Sequence, residues 1–168
     1  MIVISDTTPI LSLLKAGKLE LLQTLYGEIL VPEAVYKELI SNPAFAEEAA
    51  IIASCPFLAV MEVRNKEAVE LLRKVTGLDA GESESLILYG EQNADLLIMD
   101  EHKGRSIAKK MDVEHIGTMG ILMQAFDEGF LSAMDVQESL EKLLSKDIRL
   151  SKSLCNRVLK YVGLESKF

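Results

Sequence analysis

Ile2-Val3-Ile4-Ser5-Asp6 is the stretch that decides the fold, because an apolar run rich in β-branched residues ends there in an acidic side chain. Such a run favours a buried β-strand. Three more acidic residues, Glu38, Glu82 and Asp100, recur at the matching edge of an alternating pattern of strands and helices. Like charges gathered at one edge of a sheet repel one another, and a divalent cation is the usual reason for such a group.

Five strand-like runs of β-branched or large apolar residues alternate with helical patterns. The predicted strands are Ile2–Ser5, Glu28–Val31, Phe57–Val63, Asp95–Met99 and Val113–Ile116. The predicted helices are Pro9–Ala16, Lys18–Tyr26, a helix opened by Pro32 that carries Glu38, and then Phe45–Ser54, Lys66–Val75, Ala80–Glu91, Gly104–Met111, Thr118–Glu128, Ser132–Lys146 and Ser151–Val162. This alternation predicts an α/β domain with a mostly parallel sheet and helices on both of its faces.

The composition indicates one folded domain, because the chain has 168 residues of which 49% are hydrophobic. Its apolar runs are far shorter than the roughly 20 residues of a membrane span, and no apolar signal core follows a basic N-terminal flank. We therefore expect a soluble, cytoplasmic protein that does not contact a membrane. Cys55 and Cys155 are far apart without a CxxC spacing, which predicts neither a zinc site nor a disulfide framework.

The charge distribution argues against a protein that holds nucleic acid by bulk electrostatics, because the net charge is −8. The charge is uneven, however. Residues 141–168 carry seven Lys and Arg against three Asp and Glu, a net charge of +4, whereas the rest of the chain carries −12. A basic C-terminal helix can guide a polyanion, and a solvated basic face is the alternative interpretation.

The acidic residues fall where an open parallel sheet binds ligands, outside the carboxyl ends of its strands. Asp6 ends the first predicted strand and Asp100 the fourth, while Glu38 lies on the helix after the second strand and Glu82 opens the helix before the fourth. The group contains only oxygen ligands, which favours magnesium or manganese over zinc. One or two such ions would hold a phosphodiester and lower the pKa of an attacking water.

Each carboxylate also has a structural interpretation. Asp6 is placed to cap the first helix, Glu38 to be a surface charge, Glu82 to stabilise the positive end of a helix, and Asp100 to cap the helix that follows it. Only the gathering of all four at one edge of the sheet favours the metal site.

The same residues carry a family resemblance, spread over five segments: Val3–Pro9, Leu30–Leu39, Leu78–Ser85, Ala94–Arg105 and Ile116–Leu122. In this order the segments resemble the PIN-domain superfamily of metal-dependent ribonucleases. The Ala80-Gly81-Glu82-Ser83-Glu84 segment is similar to a prokaryotic, VapC-like branch. The resemblance implies a three-layer fold with a five-stranded parallel sheet of order 3-2-1-4-5. It covers a PIN-like domain at residues 1–130, and we expect a helical extension at residues 131–168 that packs on the same domain.

The resemblance also implies an activity. Asp6, Glu38, Glu82 and Asp100 would be the catalytic and metal-binding quartet of an endoribonuclease that uses Mg²⁺ or Mn²⁺ to hydrolyse RNA. The protein would be a candidate toxin of a toxin-antitoxin pair, inhibited by a small antitoxin protein. It would also be a candidate homodimer, with residues 119–123 as a contact surface unless they lie in the monomer core. The alternative is a non-catalytic PIN-like binding or assembly module.

The chain departs from the family pattern at two positions. Glu82 stands where Asp is common, and Ile98 stands where Thr or Ser often precedes the fourth carboxylate. Several neighbours are therefore accessory candidates: a hydroxyl or carboxylate that supplements the quartet, or a cation that contacts a flanking phosphate. These candidates are Thr7, Asp79 and Glu84, and the cations Lys103 and Arg105.

Overall fold

Strand β1 (Val3–Ser5) lies at the centre of a five-stranded parallel sheet in the computed structural model, which describes residues 1–168. The strand order is β3-β2-β1-β4-β5, and every neighbouring pair is parallel. The predicted α/β class and the predicted order are therefore confirmed. The other strands are β2 (Ile29–Pro32), β3 (Leu58–Met61), β4 (Leu96–Ile98) and β5 (His115–Ile116).

Ten α-helices surround the sheet, and a short 3-10 turn at Pro43–Phe45 precedes the fourth of them. In chain order the helices are α1 (Thr7–Lys15), α2 (Leu21–Tyr26), α3 (Glu33–Ser41), α4 (Ala46–Ala53), α5 (Lys66–Thr76), α6 (Ala80–Glu91), α7 (His102–Lys110), α8 (Thr118–Asp127), α9 (Ala133–Ser145) and α10 (Lys152–Tyr161).

Proline positions account for two differences from the predicted boundaries. Pro32 is the last residue of β2 and flanks α3, so it does not open the helix as expected. Pro9 lies in the first turn of α1, which begins at Thr7 rather than at the proline. Proline is tolerated throughout a first turn because those backbone N–H groups have no partner within the helix.

Residues along each strand alternate between two hydrophobic cores. Val3 packs in a cluster of 24 buried residues, while its neighbour Ile4 belongs to a separate cluster of 12. In β4, Ile98 joins the larger cluster and Leu97 the smaller one. Successive side chains of a strand point to opposite faces, so the two clusters show that helices cover both faces of the sheet.

The C-terminal helices share the larger core. Val136 and Leu140 of α9 and Val158 of α10 are buried in the same cluster as Val3. These contacts join residues 131–168 to the sheet, although the boundary near residue 130 stays a prediction. No helix combines the length and apolar character that crossing a membrane requires.

Candidate functional site

The pairing of β1 with β4 brings two acidic residues to one edge of the sheet. Ser5 lies opposite Ile98 in the parallel register, and the backbone N–H of Asp6 donates to the Ile98 carbonyl at 2.9 Å. Asp6 and Asp100 thus leave the carboxyl ends of neighbouring central strands, where ligands bind in open α/β sheets.

Asp6 is a buried carboxylate without a cationic partner. It is 4% exposed, its side chain makes no capping hydrogen bond to α1, and the salt bridges of the chain involve other residues. Burial raises the pKa of Asp6 to about 7; the nearby charges of Asp79, Glu82 and Glu38 add to the increase, and the backbone of Thr7 opposes it. A group with these neighbours ionises more readily once a cation lies beside it.

Glu82 forms a reciprocal capping box with Asp79 at the start of α6. The Glu82 backbone N–H donates to Asp79 Oδ1 at 2.8 Å, and the Asp79 backbone N–H donates to Glu82 Oε2 at 2.9 Å. Burial raises the pKa of Glu82, and the charges of Asp79 and Glu101 contribute to the rise while Lys103 lowers it. Glu82 therefore both caps the start of α6 and contributes a negative charge next to Asp6.

Glu38 is exposed on α3 and is joined to the end of β1 by a hydroxyl. Thr7 Oγ1 donates to Glu38 Oε2 at 2.9 Å. The accessory hydroxyl proposed at Thr7 thus orients Glu38 rather than Asp6.

Asp100 is held in place by two hydrogen bonds from Thr118. Its Oδ1 accepts the Thr118 backbone N–H at 2.7 Å, and its Oδ2 accepts the Thr118 hydroxyl at 2.6 Å. Asp100 therefore caps α8, whereas Glu101 occupies the capping position of α7, the helix that directly follows Asp100.

Sequence reasoning did not select Thr118 as a site residue. The available signal was its position two residues after the end of β5, at the same edge of the sheet as Asp100. Ile98, where the family often has a hydroxyl, is fully buried in the larger core. The hydroxyl that orients Asp100 comes instead from Thr118.

The remaining accessory candidates diverge. Glu84 Oε2 accepts the backbone N–H of Ala34 at 3.0 Å, which places its carboxylate at the start of α3. Lys103 Nζ lies over the turn at Gly77. Arg105 faces the opposite side of α7, where its Nη1 lies beside Gly117.

The carboxylates gathered around Asp6 fit a divalent cation by their donor chemistry. Asp6, Glu38, Asp79 and Glu82 form an oxygen-only group in which the charges of the other three act on the buried Asp6, and Asp100 is not among those charges. No three His, Cys, Asp or Glu side chains are arranged to hold a metal ion as they stand. Glu38, Glu82 and Asp100 each accept hydrogen bonds from protein donors, so the structure does not gather the four carboxylates around one point. The quartet therefore stays a prediction.

A comparison with known proteins identifies one family. The family model DUF3368, described as a PIN domain, matches residues 2–164. No curated protein and no solved structure matches the chain.

Proposed function

The chain belongs to the PIN-domain family, whose members are generally nucleases that typically use divalent metal ions, and from this premise we propose that it is a metal-dependent endoribonuclease. The observation that carries the proposal is the buried, unpaired Asp6 at the sheet edge beside Glu38, Asp79 and Glu82. Without a cation, this group places like charges around an Asp6 carboxylate that is only 4% exposed to water. With one, the same charges become ligands.

The residues that would hold Mg²⁺ or Mn²⁺ are Asp6, Glu38, Glu82 and Asp100, and the ion would supply a water of lowered pKa and a counter-charge for the leaving oxygen. Thr118 holds the Asp100 carboxylate by two hydrogen bonds, and Thr7 holds that of Glu38. Burial raises the pKa of Asp6 to about 7, so binding of a cation near neutral pH would release a proton from this side chain.

Lys103 and Arg105 provide positive charge on two sides of the carboxylates. On one side, the positive charge of Lys103 acts to lower the pKa of Glu82, against the larger effect of burial. Arg105 lies next to Gly117 on the side of Asp100. In the proposed complex each would neutralise a phosphate that flanks the cleaved bond, a contact that positions RNA without reading its sequence.

The role of a toxin inhibited by a small antitoxin is a finer proposal that rests on the VapC-like resemblance. It predicts that expression of the protein arrests growth and that a small co-expressed partner relieves the arrest. The homodimer and the cytoplasmic location are proposals of the same kind. Within residues 119–123, Ile121 and Leu122 are fully buried in the monomer core, so Met119, Gly120 and Met123, which are half-buried, are left to contribute to a contact surface.

The second candidate function is a non-catalytic binding module. It is favoured by the hydrogen bonds that hold Glu38, Glu82 and Asp100 on protein donors instead of around one point. In such a module the carboxylates would serve as caps and links between helices only.

A cleavage assay separates the two functions. Labelled single-stranded and structured RNAs are incubated with purified protein in Mn²⁺ or Mg²⁺, with parallel samples in EDTA. The Asp6→Asn and Asp100→Asn variants are compared with Asp112→Asn, which makes the same chemical change at an exposed position after α7. Cleavage that needs the metal, is lost in the first two variants and persists in the third establishes the nuclease. Absent cleavage together with absent metal binding by calorimetry establishes the binding module.

A further inference from the structure

A cleft of about 790 Å³ extends the candidate site toward the C-terminal helices. It is lined by Asp100 and Thr118 at the carboxyl edge of the sheet and by Ile148 and Arg149 in the segment that joins α9 to α10. Its volume falls within the roughly 300–1,000 Å³ typical of ligand sites. A ligand in this cleft therefore reaches the Asp100 carboxylate.

Three arginines from different elements line the cleft: Arg105 of α7, Arg149 of the joining segment and Arg157 of α10. All three are exposed and none forms a salt bridge, although acidic residues line the same cleft. A guanidinium group binds phosphate through two parallel hydrogen bonds. Their unpaired charges are thus free for an anionic ligand.

Gly117 brings one of these arginines close to Asp100. A Cβ atom added at Gly117 would lie 2.8 Å from Asp100 Oδ1 and 3.2 Å from Arg105 Nη1. Both side chains therefore approach the Gly117 backbone. A phosphate bound by Arg105 would consequently lie next to the carboxylate end of the candidate site.

The cleft also has apolar walls. Met119 and Met123 of α8 and Leu150 and Leu154 near the start of α10 are half-buried and line it. Flexible methionines adapt to irregular partners. Nucleic-acid bases match such a lining, because they are flat, have apolar faces and alternate with phosphates along the chain.

The charge distribution directs a polyanion to this part of the molecule. Residues 141–168 carry a net charge of +4 and the rest of the chain carries −12. Repulsion by the acidic body and attraction by the C-terminal segment act together in raising the local concentration of an anionic chain at the cleft.

We propose that the arginine cleft, defined by Arg105, Arg149 and Arg157, binds single-stranded RNA and leads it to Asp100. The inference deepens the proposed function and rests on it for the identity of the substrate. A single strand fits because its backbone bends into a concave site and its unstacked bases meet the apolar walls. The rigid duplex keeps its bases stacked and offers them no access to those walls.

The test removes two arginines that belong to the C-terminal part of the cleft. The Arg149→Ala/Arg157→Ala variant is compared with Lys152→Ala/Lys160→Ala, which removes the same number of charges from α10 at exposed positions that do not line the cleft. Both are made in the Asp6→Asn background and studied in EDTA, so that binding is measured without cleavage. The probe is a short fluorescein-labelled oligouridine, and thermal unfolding checks that each variant is folded.

We expect loss of the two arginines to weaken RNA binding roughly tenfold at low salt, and loss of the two lysines, which lie in the same positive segment but outside the cleft, to weaken it clearly less. We also expect the slope of log K against log salt concentration to fall by about 1.4, since each phosphate contact with a single strand contributes about 0.7. Equal losses in both variants would overturn the proposal in favour of bulk electrostatics. Absent binding by the parent, or tighter arginine-dependent binding of duplex RNA or of single-stranded DNA, would also overturn it.

A parallel cleavage assay in the wild-type background separates this inference from the proposed function. Metal-dependent cleavage that is unchanged by Arg149→Ala/Arg157→Ala would support the nuclease activity and contradict RNA binding in the arginine cleft. Arginine-dependent RNA binding without cleavage under any metal condition would support RNA binding in the arginine cleft and contradict the nuclease activity.

Discussion

Thr118 donates both its backbone N–H and its hydroxyl to the two carboxylate oxygens of Asp100, at 2.7 and 2.6 Å. The pair joins the end of β4 to the start of α8, and Thr118 is only 2% exposed. A carboxylate fixed in this way has one orientation at the edge of the sheet. The positioning of Asp100 thus depends on a residue that follows the fifth strand and carries no charge.

Thr118→Val should disturb that positioning, because it removes the hydroxyl donor and keeps the shape. Loss of a hydrogen bond to a charged group destabilises the fold by ~1.5–3 kcal/mol. We expect the kcat of RNA cleavage to fall at least about tenfold while KM changes little, since the cleft stays intact. Thr118→Ser keeps the hydroxyl and should restore kcat. Equal kcat values for the Val and Ser variants would contradict the positioning role.

Gly117→Ala should displace Asp100 by direct contact. The backbone at Gly117 is extended, with φ −108° and ψ 177°, so alanine adopts it without strain. The added Cβ, however, would lie 2.8 Å from Asp100 Oδ1. We expect the free energy of unfolding to fall by ~1–3 kcal/mol, as in other overpacked sites, with a loss of cleavage.

The matched control is Gly90→Ala, which adds a Cβ within α6 where no atom lies within 4 Å. It should raise the free energy of unfolding by roughly 0.5–1 kcal/mol, because alanine loses less backbone entropy than glycine in a helix. Urea unfolding measures both variants. Similar changes for the two glycines would contradict the contact.

The fold was more predictable from the sequence than the hydrogen bonds of the candidate site. The alternation of apolar strands with helices was sufficient for the α/β class, and the resemblance supplied the strand order. The side-chain partners of the carboxylates were not predictable, because they depend on residues from other elements. The Thr118 bond to Asp100 spans 18 positions and the Thr7 bond to Glu38 spans 31. The cleft likewise depends on how α10 packs, which no local pattern fixes.

Glu82→Gln should separate the capping role of this residue from its role beside Asp6. Glutamine preserves the capping box, since its side-chain oxygen still accepts the Asp79 backbone N–H. The substitution also removes the negative charge of the Glu82 carboxyl group, whose pKa is raised by burial. We expect unchanged or higher stability at pH 8 and weaker Mn²⁺ binding by calorimetry. Unchanged Mn²⁺ affinity would limit Glu82 to the cap.

The shorter Glu82→Asp variant tests the departure from the family pattern. Aspartate retains the charge but is one methylene too short for the observed bond to Asp79, so the helix start should lose roughly 0.5–2 kcal/mol. We expect Mn²⁺ binding to be retained. If Mn²⁺ binding were lost in this variant but fully kept in Glu82→Gln, the capping box of Glu82 and not its charge would be what Mn²⁺ binding requires.

The stability of the metal-free protein should decrease as the pH rises. The folded pKa of Asp6, about 7, lies above its ordinary value of 3.8, so the folded state binds this proton more tightly than the unfolded chain. The stabilisation that comes from this tighter proton binding is fully present below pH 4, and it is lost as the pH rises to about 7. Burial raises the pKa of Glu82 and acts in the same direction.

Urea unfolding in EDTA at fixed ionic strength measures this dependence. Each pKa unit corresponds to about 1.4 kcal/mol, and we expect a decrease of ~2–4 kcal/mol between pH 5 and pH 8. Asp6→Asn should remove most of the decrease and stabilise the protein at pH 8. A wild-type stability that is equal at both pH values would contradict the buried, unpaired state of Asp6.

The chemical form of the cleavage product tests the metal-dependent ribonuclease most directly. RNA is cut by the wild-type protein with Mn²⁺ in ¹⁸O-labelled water, and the new ends are analysed by mass spectrometry. We expect a linear phosphate that carries one labelled oxygen, with no product in EDTA or with Asp6→Asn, because the attacking group in the proposed reaction is a water at the carboxylate cluster. A cyclic phosphate without label, formed equally in EDTA, would contradict it, since the nucleophile would then be the ribose hydroxyl.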